Sequence, residues 1–184
     1  VCLAEIQAPR RALIVGEGNG RFLLELLRAH PNAKIDCVDA SGRMLSLGRQ
    51  RLEGDDADRV QFLQRDLLAW TPAAARYDLI VTHFFLDCFL ETELAEIVAR
   101  LSQAATADAE WLLADFRIPA KGFARLRARV WLAVMYRFFR LTARIEANEL
   151  VDPAPFLQAA GFVPMQERLF RGGILKSQLW RRQL

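Results

Sequence analysis

Three glycines at every second position, Gly16, Gly18 and Gly20, follow directly on the apolar run Ala12-Leu13-Ile14-Val15. A backbone stripped of side chains reaches left-handed φ and lets a ligand approach the main chain. The residues that follow, RFLLELL, are periodic as a helix, whose first turn offers unpaired N–H groups and a positive dipole end to an anionic group. A buried strand, a glycine loop and a helix start together suit a nucleotide-type cofactor. Further residues with chemistry to offer fall at the ends of later apolar runs. Asp39 closes KIDCVD and Asp66 follows VQFLQ, while Thr82 and His83 end YDLIVTH; Asp87 lies four residues beyond His83. A carboxylate where Asp39 stands can accept hydrogen bonds from ribose hydroxyls, and one at Asp66 can meet an adenine amino group.

These positions make sense only if the elements between them form a parallel sheet. Apolar runs at 12–16, 34–39, 60–64, 77–82 and 110–116 alternate with helical patterns at 20–29, 41–53 and 91–105, as in a sheet covered on both faces. Ser41 and Thr92 are the expected caps of the second and third helices. A long helical pattern spans 120–147. Pro153 then starts a helix that Gly161 ends, and runs at 162–170 and 173–182 flank a turn at Arg171–Gly173. The expected fold is an α/β sandwich closed by an antiparallel hairpin, with its ligand at the carboxyl ends of the strands.

Composition narrows the function. A chain of 184 residues with 53% hydrophobic side chains fits one domain with a sizeable core. Beginning at Val1 without Met, it reads as a processed or truncated form of something longer. No apolar run approaches the roughly 20 residues that span a bilayer, and no signal peptide is visible. The three cysteines, Cys2, Cys37 and Cys88, follow no metal-ligand pattern and point to reduced thiols in a cytoplasmic setting. With only His30 and His83 as imidazoles, no His-rich metal site is expected. The net charge of +3 is unevenly spread: residues 121–145 carry seven basic side chains and no acidic one, whereas residues 1–120 carry 13 basic against 18 acidic.

The loop lacks the Gly-Lys-Ser/Thr ending of a phosphate-binding NTPase loop. It also holds Arg21 where the dinucleotide fingerprint needs Gly or Ala. In this order and spacing, the G-x-G-x-G loop, Asp39, Asp66 and the fourth run resemble the class I S-adenosylmethionine-dependent methyltransferases, from about residue 12 to the end. The resemblance implies a Rossmann-like three-layer sandwich with a mostly parallel seven-stranded sheet whose last strand is antiparallel. It implies S-adenosylmethionine as cofactor and S-adenosylhomocysteine as product. By position, Gly16, Gly18 and Gly20 border the methionine moiety, Asp39 holds the ribose, Asp66 with Leu67 the adenine, and Ala40 is a further cofactor-binding residue. Thr82 and His83 line the methionine side of the cleft. One departure stands out: Ile14 occupies the place where the family usually has an acid two residues before the first glycine, and Glu17 is expected to compensate near the cofactor's ammonium group.

Each residue has a plainer alternative. Asp39 and Asp66 can simply cap the next turn, Glu17 can be a solvated loop carboxylate, and His83 a hydrogen-bonded wall residue rather than a base. Asp87 can orient the His83 imidazole, bind the acceptor or cap a helix. In residues 120–147, Phe123, Leu126, Val130, Val134, Phe138, Leu141 and Ile145 recur at helical spacing. That segment is a core helix with a solvated Arg face, or a lid whose Trp131 and Tyr136 touch the acceptor, or a surface for anionic membrane or RNA. The reading taken is methyl transfer to a small-molecule acceptor. The runners-up are a cofactor-binding module without turnover and a methyltransferase associated with RNA or a membrane surface. THFF at the end of the fourth run lacks the Asn/Asp-Pro-Pro-Tyr/Phe motif of exocyclic amine methylation, and no Pro-Cys dipeptide occurs, so nucleic acid is disfavoured.

Overall fold

The computed structural model describes residues 2–117 and 151–183. Each apolar run becomes a strand because residues covered on both faces leave water whichever way they point. The strands are β1 (Arg11–Val15), β2 (Lys34–Asp39), β3 (Val60–Gln64), β4 (Tyr77–His83), β5 (Ala105–Phe116), β6 (Phe162–Phe170) and β7 (Leu175–Arg182). They form one seven-stranded sheet in the order β3-β2-β1-β4-β5-β7-β6. Strand β7 runs antiparallel to both β5 and β6, while the pairs from β3 across to β5 are parallel. This is the Rossmann-like α/β fold expected.

Alternation along β1 and β4 divides the core. Leu13, Val15 and Ile80 face one side with Trp111, where they meet Leu94, Ile97, Val98 and Leu101 of helix α4 (Glu91–Ala104) and Leu157 of α5 (Ala154–Ala159). Ala12, Ile14, Leu79 and Val81 face the other, against Leu23, Leu26 and Leu27 of α1 (Arg21–Ala29), three residues at the i, i+3, i+4 spacing of one helical face. Helices α2 (Gly42–Arg49) and the single turn α3 (Asp56–Arg59) complete the β2–β3 connection. The chain leaves β1 toward β2 and returns to β4 on its other side. The resulting crevice at the carboxyl end of β1 is the place such sheets bind ligands.

Several boundaries differ from expectation for local reasons. Ser41 caps α2, its Oγ accepting from Met44 N–H at 3.4 Å, but α4 starts after Leu90, not at a Thr92 cap. There the Glu93 carboxylate reaches back to the Leu90 N–H at 3.0 Å, so Thr92 lies inside the first turn. Strand β5 begins at Ala105, not 110, since α4 turns straight into it and a register shift between Tyr77 and Leu79 absorbs the polar Thr106–Asp108 stretch. Helix α2 ends at Arg49, and β7 begins at Leu175 after a 3-10 turn at Arg171–Gly173. The expected helix at 120–147 falls outside the described residues. Among the described residues, no helix is long and apolar enough to cross a membrane.

Candidate functional site

The three glycines prove to have different tasks. All have left-handed φ: +68° at Gly16, +67° at Gly18 and +80° at Gly20. A Cβ on Gly16 would stand 2.4 Å from Cδ2 of Phe85, and one on Gly20 only 2.8 Å from Cα of Gly48 in α2. Those two glycines therefore exist for packing, of the loop on the β4 exit and of α1 on α2. A Cβ on Gly18 would meet nothing within 4 Å among the described residues. Gly18 alone faces open space, as a loop that receives a ligand on its backbone must. Gly20→Ala is accordingly expected to cost stability without touching a ligand, by about 2–5 kcal/mol from the left-handed strain and the overpacking together. Chemical denaturation would measure it; a variant as stable as the parent would contradict the packing role.

Glu17 is not the solvated carboxylate of the plain alternative. It is largely buried, and its Oε1 accepts from the Leu23 N–H at 3.0 Å, satisfying one orphan donor of the first turn of α1. Burial pushes its carboxyl up to about 7 against the lowering effect of these backbone N–H groups, with the Asp39 charge adding to the rise. Ile14, in the place of the usual acid, is 1% exposed and part of the core, so it offers a ligand nothing.

Asp39 and Asp66 stand at the ends of adjacent strands and behave alike. One oxygen of each holds its own turn: Asp39 Oδ1 accepts from Ser41 N–H at 2.8 Å, and Asp66 Oδ1 from Leu68 N–H at 2.9 Å. The turn-capping alternative is thus present. It uses one oxygen, and Oδ2 of each has no hydrogen bond among the described residues. Ala40 is exposed beside Asp39, with its carbonyl accepting from Gln64 Nε2 at 3.2 Å. Leu67 is buried, so only its backbone can meet a ligand at the surface. Its carbonyl accepts from Arg100 Nη1 at 2.9 Å.

The end of β4 corrects the expectation for Thr82. Its side chain is fully buried, and Oγ1 accepts from the Trp111 indole N–H at 2.9 Å. The period-2 alternation of the strand sends Thr82 into the α4 face and leaves it no side-chain contact with the cleft. His83 points the other way, its ring 4.3 Å from Phe22 of α1 in an edge-on contact. Burial depresses its imidazole to about 3, so the ring is neutral, and Nε2 is buried with no hydrogen-bond partner among the described residues. A base this weak is poorly matched to proton transfer near neutral pH. Nor does Asp87 orient it. Asp87 is buried in the 3-10 turn after β4, in hydrogen-bonding contact with Cys88 and with Asp115 at the end of β5.

Two features escaped the sequence reading. Phe84, a bulky residue at φ +51°, donates its N–H to the Ala114 carbonyl at 2.7 Å and packs its exposed ring, tilted by 45°, against Phe116 at 5.0 Å. Non-glycine residues in left-handed conformations are strained and gather at functional sites. Asp115 is the other, and its signal is the charge itself, an acid inside the apolar WLLADF run. Trp131, Tyr136 and the basic stretch 121–145 lie outside the described residues.

Comparisons agree with this geometry. The family model described as a methyltransferase domain matches residues 12–108, more than half of the chain. A malonyl-[acyl-carrier protein] O-methyltransferase of Halalkalibacterium halodurans is 36% identical over 78 residues, which are 41% of this chain and 28% of that protein. The chain thus spans less than a third of the length of the curated relatives it matches. The mitomycin 7-O-methyltransferase MmcR superposes with a TM-score of 0.73 at 20% identity, over 95% of this chain and 49% of that one. The 1,6-didemethyltoxoflavin-N1-methyltransferase of Burkholderia thailandensis, solved with 1,6-didemethyltoxoflavin and S-adenosylhomocysteine, gives 0.71 at 18% identity over 98% of this chain and 74% of that one. Glycine loop, strand order and family model converge, and the chain belongs to the class I S-adenosylmethionine-dependent methyltransferases.

Proposed function

We propose that the chain transfers the methyl group of S-adenosylmethionine to a small-molecule acceptor. The observation that carries this reading is the open side of Gly18, flanked at the ends of β2 and β3 by Asp39 and Asp66, each with one oxygen uncommitted among the described residues. The residues fit the cofactor: the open backbone at Gly18 would receive the methionine moiety, Asp39 beside Ala40 the ribose hydroxyls, and Asp66 with the Leu67 backbone the adenine. When bound, S-adenosylmethionine supplies a methyl group already activated on a sulfonium. The protein's task is then orientation in a dry site. Glu17 would hold the cofactor's ammonium group in ionised form. His83, neutral and unpartnered at Nε2, would serve as a wall with one hydrogen-bonding edge.

Isothermal titration with S-adenosylmethionine and S-adenosylhomocysteine tests the reading, with binding of both expected. Asp39→Ala should weaken both by about 1.5–3 kcal/mol, as for a charge-assisted hydrogen bond. The fold should survive, because the residue lies at a strand end. Unchanged affinity in that variant would remove the ribose assignment.

A further inference from the structure

A cavity of about 350 Å³ opens where the carboxyl end of β5 meets the start of β7, lined by Asp115, Phe116, Arg117, Asp152, Glu167 and Lys176 among others. That volume falls in the range of small-ligand pockets. Asp115 is 1% exposed, and neither of its oxygens accepts from a protein N–H or O–H group among the described residues. A cation is at hand and does not pair with it. Lys176 is its direct partner in the β5–β7 register, yet the Lys176 ammonium donates to Asp152 Oδ1 at 2.8 Å. Asp115 meets the carboxyl of Asp87 instead. Two carboxyl groups in hydrogen-bonding contact require a proton between them, since ionised carboxylates are acceptors only.

Burial raises both groups, Asp87 to about 6 and Asp115 well above the usual carboxylate range; their mutual charge adds to the rise at Asp115, against a lowering effect of Lys176. Of the other titratable groups nearby, the Cys88 thiol donates to Asp87, and burial pushes that thiol up so that it stays protonated, while Asp152 is tied to Lys176. Near pH 7 the pair therefore holds one proton and one negative charge, and titrates as a unit. It is also joined to the glycine loop: Phe85, whose ring fills the space beside Gly16, stands two residues before Asp87. On the cavity side, Phe116 supplies an aromatic wall, and the ring of the strained Phe84 packs against Phe116.

We propose that Asp115 and Asp87 together are the proton acceptor of the reaction, and that the methyl acceptor is an uncharged hydroxyl compound, a phenol or enol, seated in this cavity against Phe116. The proposal rests on the methyl-transfer reading above. As the acceptor oxygen bonds to the methyl carbon, the carbon–sulfur bond breaks and its electron pair stays on sulfur, discharging the sulfonium. The hydroxyl proton passes to the carboxyl pair, which becomes neutral, and is later lost to water. An ionised carboxylate acceptor has no proton to give. It would also face a lining with three carboxyl groups against two cations, one of them neutralised by Asp152.

The test uses the full chain with S-adenosylmethionine and two probes, catechol as hydroxyl acceptor and trans-aconitate as carboxylate acceptor, following S-adenosylhomocysteine release against pH. Catechol turnover is expected, with kcat/KM falling below about pH 6 as the pair takes its second proton. Asp115→Asn should lower it at least ~100-fold, the scale of a lost general base, with cofactor affinity within about twofold. Infrared spectra of the parent should show a protonated carboxyl at neutral pH that Asp115→Asn lacks; Asp87→Asn serves the same ends should the first variant not fold. Parent-like catechol turnover in the folded variants, or methylation of trans-aconitate but not catechol, would overturn the proposal while leaving methyl transfer standing. A parent chain that fails to bind S-adenosylmethionine would instead bring down the functional reading itself.

Discussion

Glu17→Gln should stabilise the protein at neutral and alkaline pH and, in the same stroke, flatten the pH dependence of cofactor binding. The buried carboxyl titrates at about 7 in the fold against 4.5 for an ordinary one. The folded state thus holds its proton where the unfolded chain has lost it. Stability from the neutral form is fully present below 4.5 and drains away as pH rises through 7. Gln keeps the acceptor for the Leu23 N–H and never ionises. Its advantage over the parent should grow from near zero at pH 4.5 to about 3 kcal/mol by pH 8. For the cofactor the sign reverses. If the ammonium group sits against Glu17, binding draws the carboxyl into its ionised form, so parent affinity should rise about eightfold between pH 6 and 7.5, before the ligand's own α-amino group titrates near 8. Denaturant melts and titration calorimetry across that range measure both. Equal pH dependence of binding in parent and variant would place the ammonium elsewhere.

Gly18→Val should abolish measurable cofactor binding, a loss of at least ~100-fold, while the sheet stays folded. Among the described residues no atom lies within 4 Å of the site a Cβ would occupy, so the substitution meets no clash with them. Its stability cost is the left-handed backbone alone, about 1–3 kcal/mol for a β-branched residue. The isopropyl group would instead occupy the open space where the loop's backbone is to receive the ligand. Gly20→Ala provides the contrast, its cost being in packing against Gly48. Normal binding by a folded Gly18→Val protein would reduce the loop to a chain reversal.

Local pattern carried most of the fold. Runs such as ALIV and YDLIV announce strands because residues buried on both faces must all be apolar, and that requirement is written in composition alone. Helix α1 shows in the spacing of Leu23, Leu26 and Leu27 for a similar reason. The loop and the strand-end acids were also legible, since a G-x-G-x-G spacing and an Asp at the end of the second and third apolar runs are facts of one dimension. Residues 106–108 misled: their polarity reads as loop, but pairing at Tyr77 with a register shift keeps them in β5.

What the tertiary structure decided is which neighbour each of those residues meets. The sequence by itself could not divide the labour of three identical glycines, because Phe85, Gly48 and empty space are brought to them by other segments. It placed Thr82 and His83 together at the cleft, whereas the pleat turns one to Trp111 and the other to Phe22. Nor could it show that Glu17 is buried on α1, or that Lys176 turns to Asp152 and leaves Asp115 to share a proton with Asp87, 28 positions earlier in the chain. Propensity and periodicity act between neighbours along the chain. Desolvation and charge pairing act between groups that only folding brings together, and those forces set the chemistry of this site.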